Sequence, residues 1–485
     1  MGPQNTSFFN TLLFQLFAAN AQVPEPITLF GTSTNDIAPE PEIPLLFGHR
    51  GDKINLPEHT IPAYEMAMAS AIDYIEPDLV LTKDQVPVCF HDIFLHPGTD
   101  VKERPEFDHL KTTNRTIKLR DVTHYITSNW LVSNFTWAEL KTLRVIQKAK
   151  GIRPKYFDRM FGIPSFDEFM EIAHRYTWKQ QFIRNYDGRK RPIIGLMPEL
   201  KHARYHDAIG GSQHYMVETI VKALEKWGYS RNEKAKPSRC LYNGTEIPCN
   251  PMLVQALDPV AVEYLRNTTT YQLLCLMDTA NLRWLTYKGM AEMKGKTDWL
   301  CFLKSLLFTG TPAQIKRESL VDWNKTEIEE LGGFIKPNKI VPYAKKLGFK
   351  VAVHTIYSSW EDSERGCAVR CTNETKEQEM HYFFKMGVNG FFVEGIEESI
   401  KIRQEYFGKK LISKWGMAGA NSLFTVDSSA IACNFNWTAF TANISKGDNI
   451  LAILQASILI NAASALVKIR RIQSFNTVLE LIGIM

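Results

Sequence analysis

Between Leu45 and Val393 the sequence alternates short β-rich runs with helical stretches, and this alternation confines the chain to a parallel α/β architecture. It predicts strands at Leu45 to Gly48, Asp73 to Asp78, Val86 to His91, Pro192 to Glu199, Met252 to Ala256, Gln272 to Met277, Gly332 to Ile335, Phe349 to His354 and Gly390 to Val393. The Val86 run reads as a hairpin arm, and the other eight suffice to close a barrel. Helices are expected between them: Thr60 to Ala71 opens on a threonine cap with Pro62 in its first turn, and Asn338 to Leu347 stops at Gly348. Eight alternations over about 350 residues fit a TIM (β/α)8 barrel. A doubly wound open sheet fits less well, because no glycine-rich phosphate loop follows the first strand.

The 485 residues are 45% hydrophobic and 22% charged, a globular composition that excludes a disordered or fibrous chain. A net charge of +5, from 57 Lys and Arg against 52 Asp and Glu, is too small and too evenly spread to indicate a nucleic-acid partner. The interval from about 95 to 190 is too long for a plain strand-to-helix connection. It is aromatic and basic and reads as a subdomain inserted after the second strand. The expected organisation is a barrel over 45–405 carrying that insertion, preceded by a linker at 22–44. A sequon-bearing extension at 406–449 and a tail at 468–485 are appended.

Residues 7–21, SFFNTLLFQLFAANA, hold a short apolar run and then the small-x-small site Ala19-Asn20-Ala21, which predicts a signal peptide over 1–21 and a secreted or cell-surface protein. Nine N-x-S/T positions (Asn5, Asn114, Asn134, Asn243, Asn267, Asn324, Asn373, Asn436 and Asn443) agree with that route. Of eight cysteines, Cys240 and Cys249 bracket an Asn-Gly turn and Cys367 and Cys371 share a polar loop; either pair suits a local disulfide better than zinc. Ile450 to Val467 runs 18 residues without a charge and precedes Lys468, Arg470 and Arg471. It reads either as a membrane anchor with the basic residues inside or as a packing helix. Gln455 and Asn461 weigh against the first.

The residues that carry chemistry sit in FGHRGDKINLPEHTIPAYEMAMASAIDYIEPDLVLTKDQVPVCFHD, residues 47–92. His49-Arg50-Gly51 ends the first strand, Glu76-Pro77-Asp78 the second, and His91-Asp92 the extended run that follows. In a barrel these ends share the rim where active sites assemble. Glu76 and Asp78, two apart on a strand, leave the same face and can converge on one cation. Glu199 and Lys201 repeat that spacing. Any one of these taken alone is usually a solvated strand end or a loop pair. Their order and spacing together bring three carboxylates, two histidines, one arginine and one lysine to one rim.

With those residues in view, the chain resembles the glycerophosphodiester phosphodiesterase family. The resemblance rests on His49-Arg50-Gly51, Pro57-Glu58-x-Thr60, Ala63-Tyr64, Ile75-Glu76-x-Asp78, Leu81-Thr82-Lys83-Asp84-x-Val86-Pro87-Val88, His91-Asp92 and Glu199-Leu200-Lys201. It implies a TIM barrel with an insertion after the second strand. Glu76, Asp78 and Glu199 become ligands of a divalent cation, Mg²⁺ or Ca²⁺ by their hard oxygens. His49 and His91 become the acid/base pair, and Arg50 and Lys201 the phosphate holders. Three positions depart from the pattern: His59 stands where Asn is usual, His354-Thr355 where Trp-Thr is common, and Val393-Glu394-Gly395-Ile396 where the family has Thr-Asp-x-Pro.

The implied activity is hydrolysis of small glycerophosphodiesters such as glycerophosphocholine to glycerol 3-phosphate and an alcohol. One alternative is a phospholipase D-like enzyme that forms cyclic phosphates from lysophospholipids or sphingomyelin. A second is a non-catalytic surface protein that keeps the barrel.

Overall fold

The computed structural model describes residues 42–119, 122–148, 153–181, 193–308, 310–312, 324–357 and 375–408. The leader, the Cys367 and Cys371 pair, the basic turn at 185–191 and the apolar run at 450–467 lie outside them. Among the described residues no helix is long and apolar enough to cross a membrane.

Parallel strands buried on both faces read as nearly continuous apolar runs, and here they form a closed ring. The first is β1 (Leu45–His49). The second is β2 (Tyr74–Glu76) with β3 (Asp78–Leu81), broken at Pro77. Strand β4 (Pro87–Cys89) folds back on β3 as an antiparallel arm, and β5 (Lys111–Leu119) pairs with β6 (Val122–Trp130) in a separate hairpin. The third barrel strand is β7 (Gly195–Leu196) with β8 (Glu199–Leu200). After the small hairpin β9 (Cys240–Tyr242) and β10 (Thr245–Ile247), the ring continues through β11 (Leu253–Ala256), β12 (Gln272–Met277), β13 (Trp299–Leu303), β14 (Lys350–Ile356) and β15 (Gly390–Val393). Each pairs in parallel with the next, and β15 pairs with β1, so the eight strands close.

Helices follow the strands in turn: α1 (Ile61–Ala69), α2 (Phe166–Gln180), α3 (Tyr215–Lys226), α4 (Pro259–Thr268), α5 (Tyr287–Glu292), α6 (Pro337–Lys346), α7 (Lys376–Met386) and α8 (Ile396–Phe407). The Thr60 hydroxyl accepts the Ala63 N–H at the start of α1, as its sequence predicts, and α6 ends with Leu347 as its cap, just before Gly348. Ser165 and Glu168 cap the start of α2 reciprocally. Helix α2 packs on α1, where Tyr176 donates to the Met68 carbonyl and Phe169 meets Tyr64 edge-on.

One strand differs from the sequence expectation. The sixth barrel strand is Trp299–Leu303; Gly332 to Ile335 is a turn that bridges Phe334 to Thr286, donates the Ile335 N–H to the Leu285 carbonyl and buries Ile335 in the main core. Gly332 and Gly333 both have positive φ, which ends the preceding helical turn rather than extending a strand. Trp299–Leu303 shows no alternation because both its faces are buried.

Two cores result. Between barrel and helices lies the large one. Inside the barrel, Phe47, Met197, Leu253, Leu274, Leu276, Trp299, Cys301, Ala352 and Phe392 fill the lumen, so the barrel is solid below its mouth. The Phe47 ring meets Tyr74, Trp299 and Phe392 edge-on, and a Cβ on Gly390 would come within 2.6 Å of it. Each such fully buried side chain contributes about 1.5–3 kcal/mol. Residues 93–163 build a smaller core around Phe107, Trp130, Phe135 and Leu143 that also takes in Val80, Val88, Phe90 and Tyr205.

Candidate active site

Inward-facing positions recur every second residue along each strand, and at the C-terminal rim they change from apolar to charged. On β1 the inward series is Leu45, Phe47, His49; on the second strand it is Tyr74, Glu76, Asp78; on the third, Met197, Glu199, Lys201. Register aligns them: His49 pairs with Glu76, Asp78 with Glu199, and Glu199 with Gln255. The turn after β1 is tight. Arg50 and Gly51 have φ of 64° and 78°, and a Cβ on Gly51 would lie 2.7 Å from the Ala63 backbone, so glycine is required there. That turn aims the Arg50 N–H at Glu76 Oε2, 2.9 Å away.

Glu76, Asp78 and Glu199 are all buried, and one oxygen from each lies within 4.8 Å of the others. Burial and then the charge of Asp78 push Glu76 well above the ordinary carboxylate range. Glu199 rises to about 7, through burial opposed by Lys201. At Asp78 burial is outweighed by Lys201, Arg50 and His59, which hold it well below. Lys201 Nζ is 2.7 Å from Glu199 Oε1 and 3.3 Å from Asp78 Oδ1, and Arg50 Nε is 3.1 Å from Asp78 Oδ2. Neither lysine contact is aligned as a hydrogen bond, so Asp78 Oδ1 and Glu199 Oε1 are buried acceptors without a donor. Three crowded carboxylates with two orphaned oxygens fit a hard divalent cation, which would relieve both the repulsion and the missing bonds.

His59 donates from Nε2 to Asp78 Oδ2 (2.8 Å) and accepts the Tyr64 hydroxyl at Nδ1 (2.7 Å). His59, where the family pattern has Asn, therefore orients the Asp78 carboxylate. Gln255 Nε2 donates to Glu76 Oε1 at 3.2 Å, so each of these two acids is steadied from behind.

The His49 ring stands over a second charge cluster. Its Nδ1 is 3.1 Å from Glu394 Oε1 and 3.0 Å from Lys53 Nζ. Glu394 is fully buried and also pairs with Lys53 and with Arg153 Nη2, the latter at 2.6 Å. A carboxylate only accepts and an ammonium only donates, so Nδ1 satisfies one of them at a time. With the proton on Nδ1 the ring donates to Glu394 and presents the Nε2 lone pair. Burial, then Lys53 and Arg50, hold the ring well below its ordinary pKa, so it rests neutral. His91 is held low by burial, then by Arg50 and Lys201. Among the described residues no protein hydrogen bond occupies its ring.

The seven residues singled out in the sequence thus converge at one end of the barrel. Missed were Lys53, Gln255, Lys148 and Arg153. Lys148 Nζ is 2.9 Å from Glu58 Oε1, and Glu58 in turn pairs with Arg50 at 3.0 Å. Gln255 sits on the inward series of β11 and could have been found by alternation. Lys148 and Arg153 come from the long stretch before α2, where no periodicity points to the site.

The model of the glycerophosphoryl diester phosphodiesterase family matches residues 49–398, nearly three quarters of the chain. The chain belongs to that family. Among its relatives are glycerophosphodiester phosphodiesterases of Arabidopsis thaliana, 28% identical over 49% of this chain and 57% of the relative, and of Haemophilus influenzae, 28% identical over 39% and 46%. The chain therefore spans about half the length of these family members. A phosphodiesterase of Oleispira antarctica, solved with the product sn-glycerol-3-phosphate, is similar at 15% identity and a TM-score of 0.43, covering 74% of this chain and 96% of that one.

Proposed function

We propose that the chain is a divalent-cation-dependent phosphodiesterase that hydrolyses glycerophosphodiesters to glycerol 3-phosphate and an alcohol. The observation that carries this reading is the triad of Glu76, Asp78 and Glu199 within 4.8 Å, with Arg50 and Lys201 packed against it. Arg50, by its planar fork, and Lys201, as a point charge, bind the phosphoryl oxygens. When bound, Mg²⁺ or Ca²⁺ held by the triad offsets charge on those oxygens. One imidazole of the His49 and His91 pair takes the proton of the neighbouring glycerol hydroxyl as its oxygen bonds to phosphorus. The other imidazole, protonated when the negatively charged phosphodiester is bound beside it, gives its proton to the departing alkoxide as the old P–O bond breaks, and water opens the cyclic phosphate by the same transfers reversed. Glu394 positions His49.

A lipid-borne diester is the second reading. It is favoured by Tyr156 and Met160, 84% and 52% exposed on the segment that carries Arg153 to the site. A secretory location is part of the proposal: it is supported by the Cys240–Cys249 disulfide and by exposed sequon residues Asn114 and Asn243. The amide of Asn134 is instead held by the Leu110 carbonyl and the Thr112 hydroxyl, so this sequon is expected to stay unglycosylated.

The test is metal-stripped protein assayed on glycerophosphocholine and lysophosphatidylcholine side by side. Activity should vanish in EDTA and return with Mg²⁺ or Ca²⁺. Full activity in EDTA removes the cation, faster cleavage of the lysolipid favours the lipid reading, and protein inert on both favours a non-catalytic role.

A further inference from the structure

The inward series of β14 runs Ala352, His354, and His354 pairs in register with Leu303 of β13. Its Nδ1 lies 3.4 Å from the Cys301 Sγ, which faces the same lumen two residues before Leu303. Burial, with the charge of Glu199 adding, holds the Cys301 thiol far above its ordinary pKa, so it keeps its proton and can donate it to Nδ1. Burial, then Lys201, pushes the His354 ring down to about 3. A neutral ring that accepts at Nδ1 carries its hydrogen on Nε2. The Phe392 ring lies nearly perpendicular to both His49 and His354, with centroids 5.9 and 6.2 Å away, so the two imidazoles flank one side chain at the same mouth. His354 is partly exposed there, beside Cys301 and Phe392.

We propose that His354 is a substrate-reading residue whose Nε2–H, fixed by the Cys301 thiol, donates to the terminal hydroxyl of the substrate's glyceryl group. The inference rests on the phosphodiesterase reading above. Lys201 is felt at the ring only through its charge, and the hydrogen-bond partner of the ring is a neutral thiol. A neutral donor of this kind matches a neutral oxygen, whereas the phosphoryl oxygens are drawn to Arg50, Lys201 and the cation site. The hydroxyl neighbouring the phosphate must remain free to attack, which leaves the terminal one for recognition. Tryptophan, common at this position in the family, would offer a larger ring with a different donor direction.

The experiment compares kcat and KM on glycerophosphocholine and on the phosphocholine diester of propane-1,2-diol, which keeps the attacking hydroxyl and lacks the terminal one. Wild type should prefer the glycerol compound by about tenfold in kcat/KM. His354→Phe should cut that preference below about twofold, His354→Gln, which keeps an N–H near the Nε2 position, should retain it, and Cys301→Val should lower it. Ring-nitrogen NMR of the wild type should show the Nε2–H tautomer of His354. If His354→Phe does not fold, the Gln and Val variants and the NMR carry the test. A full preference in the Phe variant, equal losses on both compounds, or an Nδ1–H tautomer would overturn the assignment. Wild-type protein inert on both diesters would bring down the phosphodiesterase reading with it, whereas active wild type with an unchanged preference in the Phe variant overturns this inference alone.

Discussion

Replacing Glu394 by Gln removes the one negative charge shared by Lys53, Arg153 and the His49 ring while keeping the side chain's shape. Each cation sits about 3 Å from the carboxylate, where the attraction at an effective dielectric of 20 is about 5 kcal/mol before desolvation is counted. The net loss is smaller, because burying three ions already costs much of that attraction. Breaking a buried pair costs about 3–5 kcal/mol. Lys53 limits the damage: burial already brings it down to about 8 against the pull of Glu394, so without the carboxylate it sheds its proton near neutrality. Urea unfolding at pH 7.5 should therefore show a loss of about 3 kcal/mol. The catalytic loss should be larger in proportion. A correctly held acid/base group contributes about 10²–10⁴-fold, and His49 loses the charged acceptor that fixes its Nδ1 proton, since the amide that replaces it can equally turn its NH₂ toward the ring. kcat on glycerophosphocholine should fall within that range, while KM changes little because Arg50 and Lys201 are untouched. Glu394→Asp, which keeps the charge, should recover part of both losses. A folded Glu394→Gln variant with kcat within threefold of wild type would refute the positioning argument.

Three further outcomes follow from other parts of the molecule. His49→Ala and His91→Ala should each lower kcat by two or more orders of magnitude in steady-state assays with melting curves unchanged; a variant that keeps wild-type turnover loses its place in the acid/base pair. His206, buried and pushed down to about 3 by burial with His202 adding, accepts the Leu81 N–H and stays neutral in the fold. Below about 6.5 only the unfolded chain takes that proton, so its stability contribution is whole above 6.5 and lost as pH falls toward 3. His206→Gln should reduce the stability drop between pH 7 and pH 4 by on the order of 3 kcal/mol in urea titrations, and equal drops would contradict it. Replacing Cys240 and Cys249 by Ser opens a loop with a sequence separation of 9 and should cost about 2.5 kcal/mol, read as a shift of the urea midpoint that reductant reproduces in the wild type.

The ring of strands was legible because parallel strands and their caps leave local marks. Thr60 before Pro62 starts α1 where expected, and the β12 run Gln272–Met277 is found to the residue. The sixth strand was not, since Trp299–Leu303 is apolar throughout and sits in a charged, lysine-rich surrounding that reads as a loop. Gly332 to Ile335 looked better only because paired glycines and a Phe-Ile step imitate a bounded strand. Their positive φ values are a tertiary outcome, set where the chain turns to begin α6.

The site divides along the same line. His49, Glu76, Asp78, Glu199 and Lys201 lie on strands or one step beyond, so a period of two puts them on one face without knowledge of the fold. Glu394 obeys that rule too, two residues after Phe392, and was visible only as a departure from a family pattern. Lys148 and Arg153 obey no rule of period, because a long connection places them. Yet the charge count required partners of that kind. Glu58, Glu76, Asp78, Glu199 and Glu394 are five buried acids, and Arg50, Lys53 and Lys201 offer only three cations from the barrel side. Buried carboxylates must be paired, protonated or bound to metal. Lys148 and Arg153 pair Glu58 and Glu394, and the remaining imbalance falls on Glu76 and Glu199, the two acids pushed up toward protonation. The long connection therefore neutralises the outer acids and leaves the strain on the triad, where a bound cation would displace their protons and relieve it.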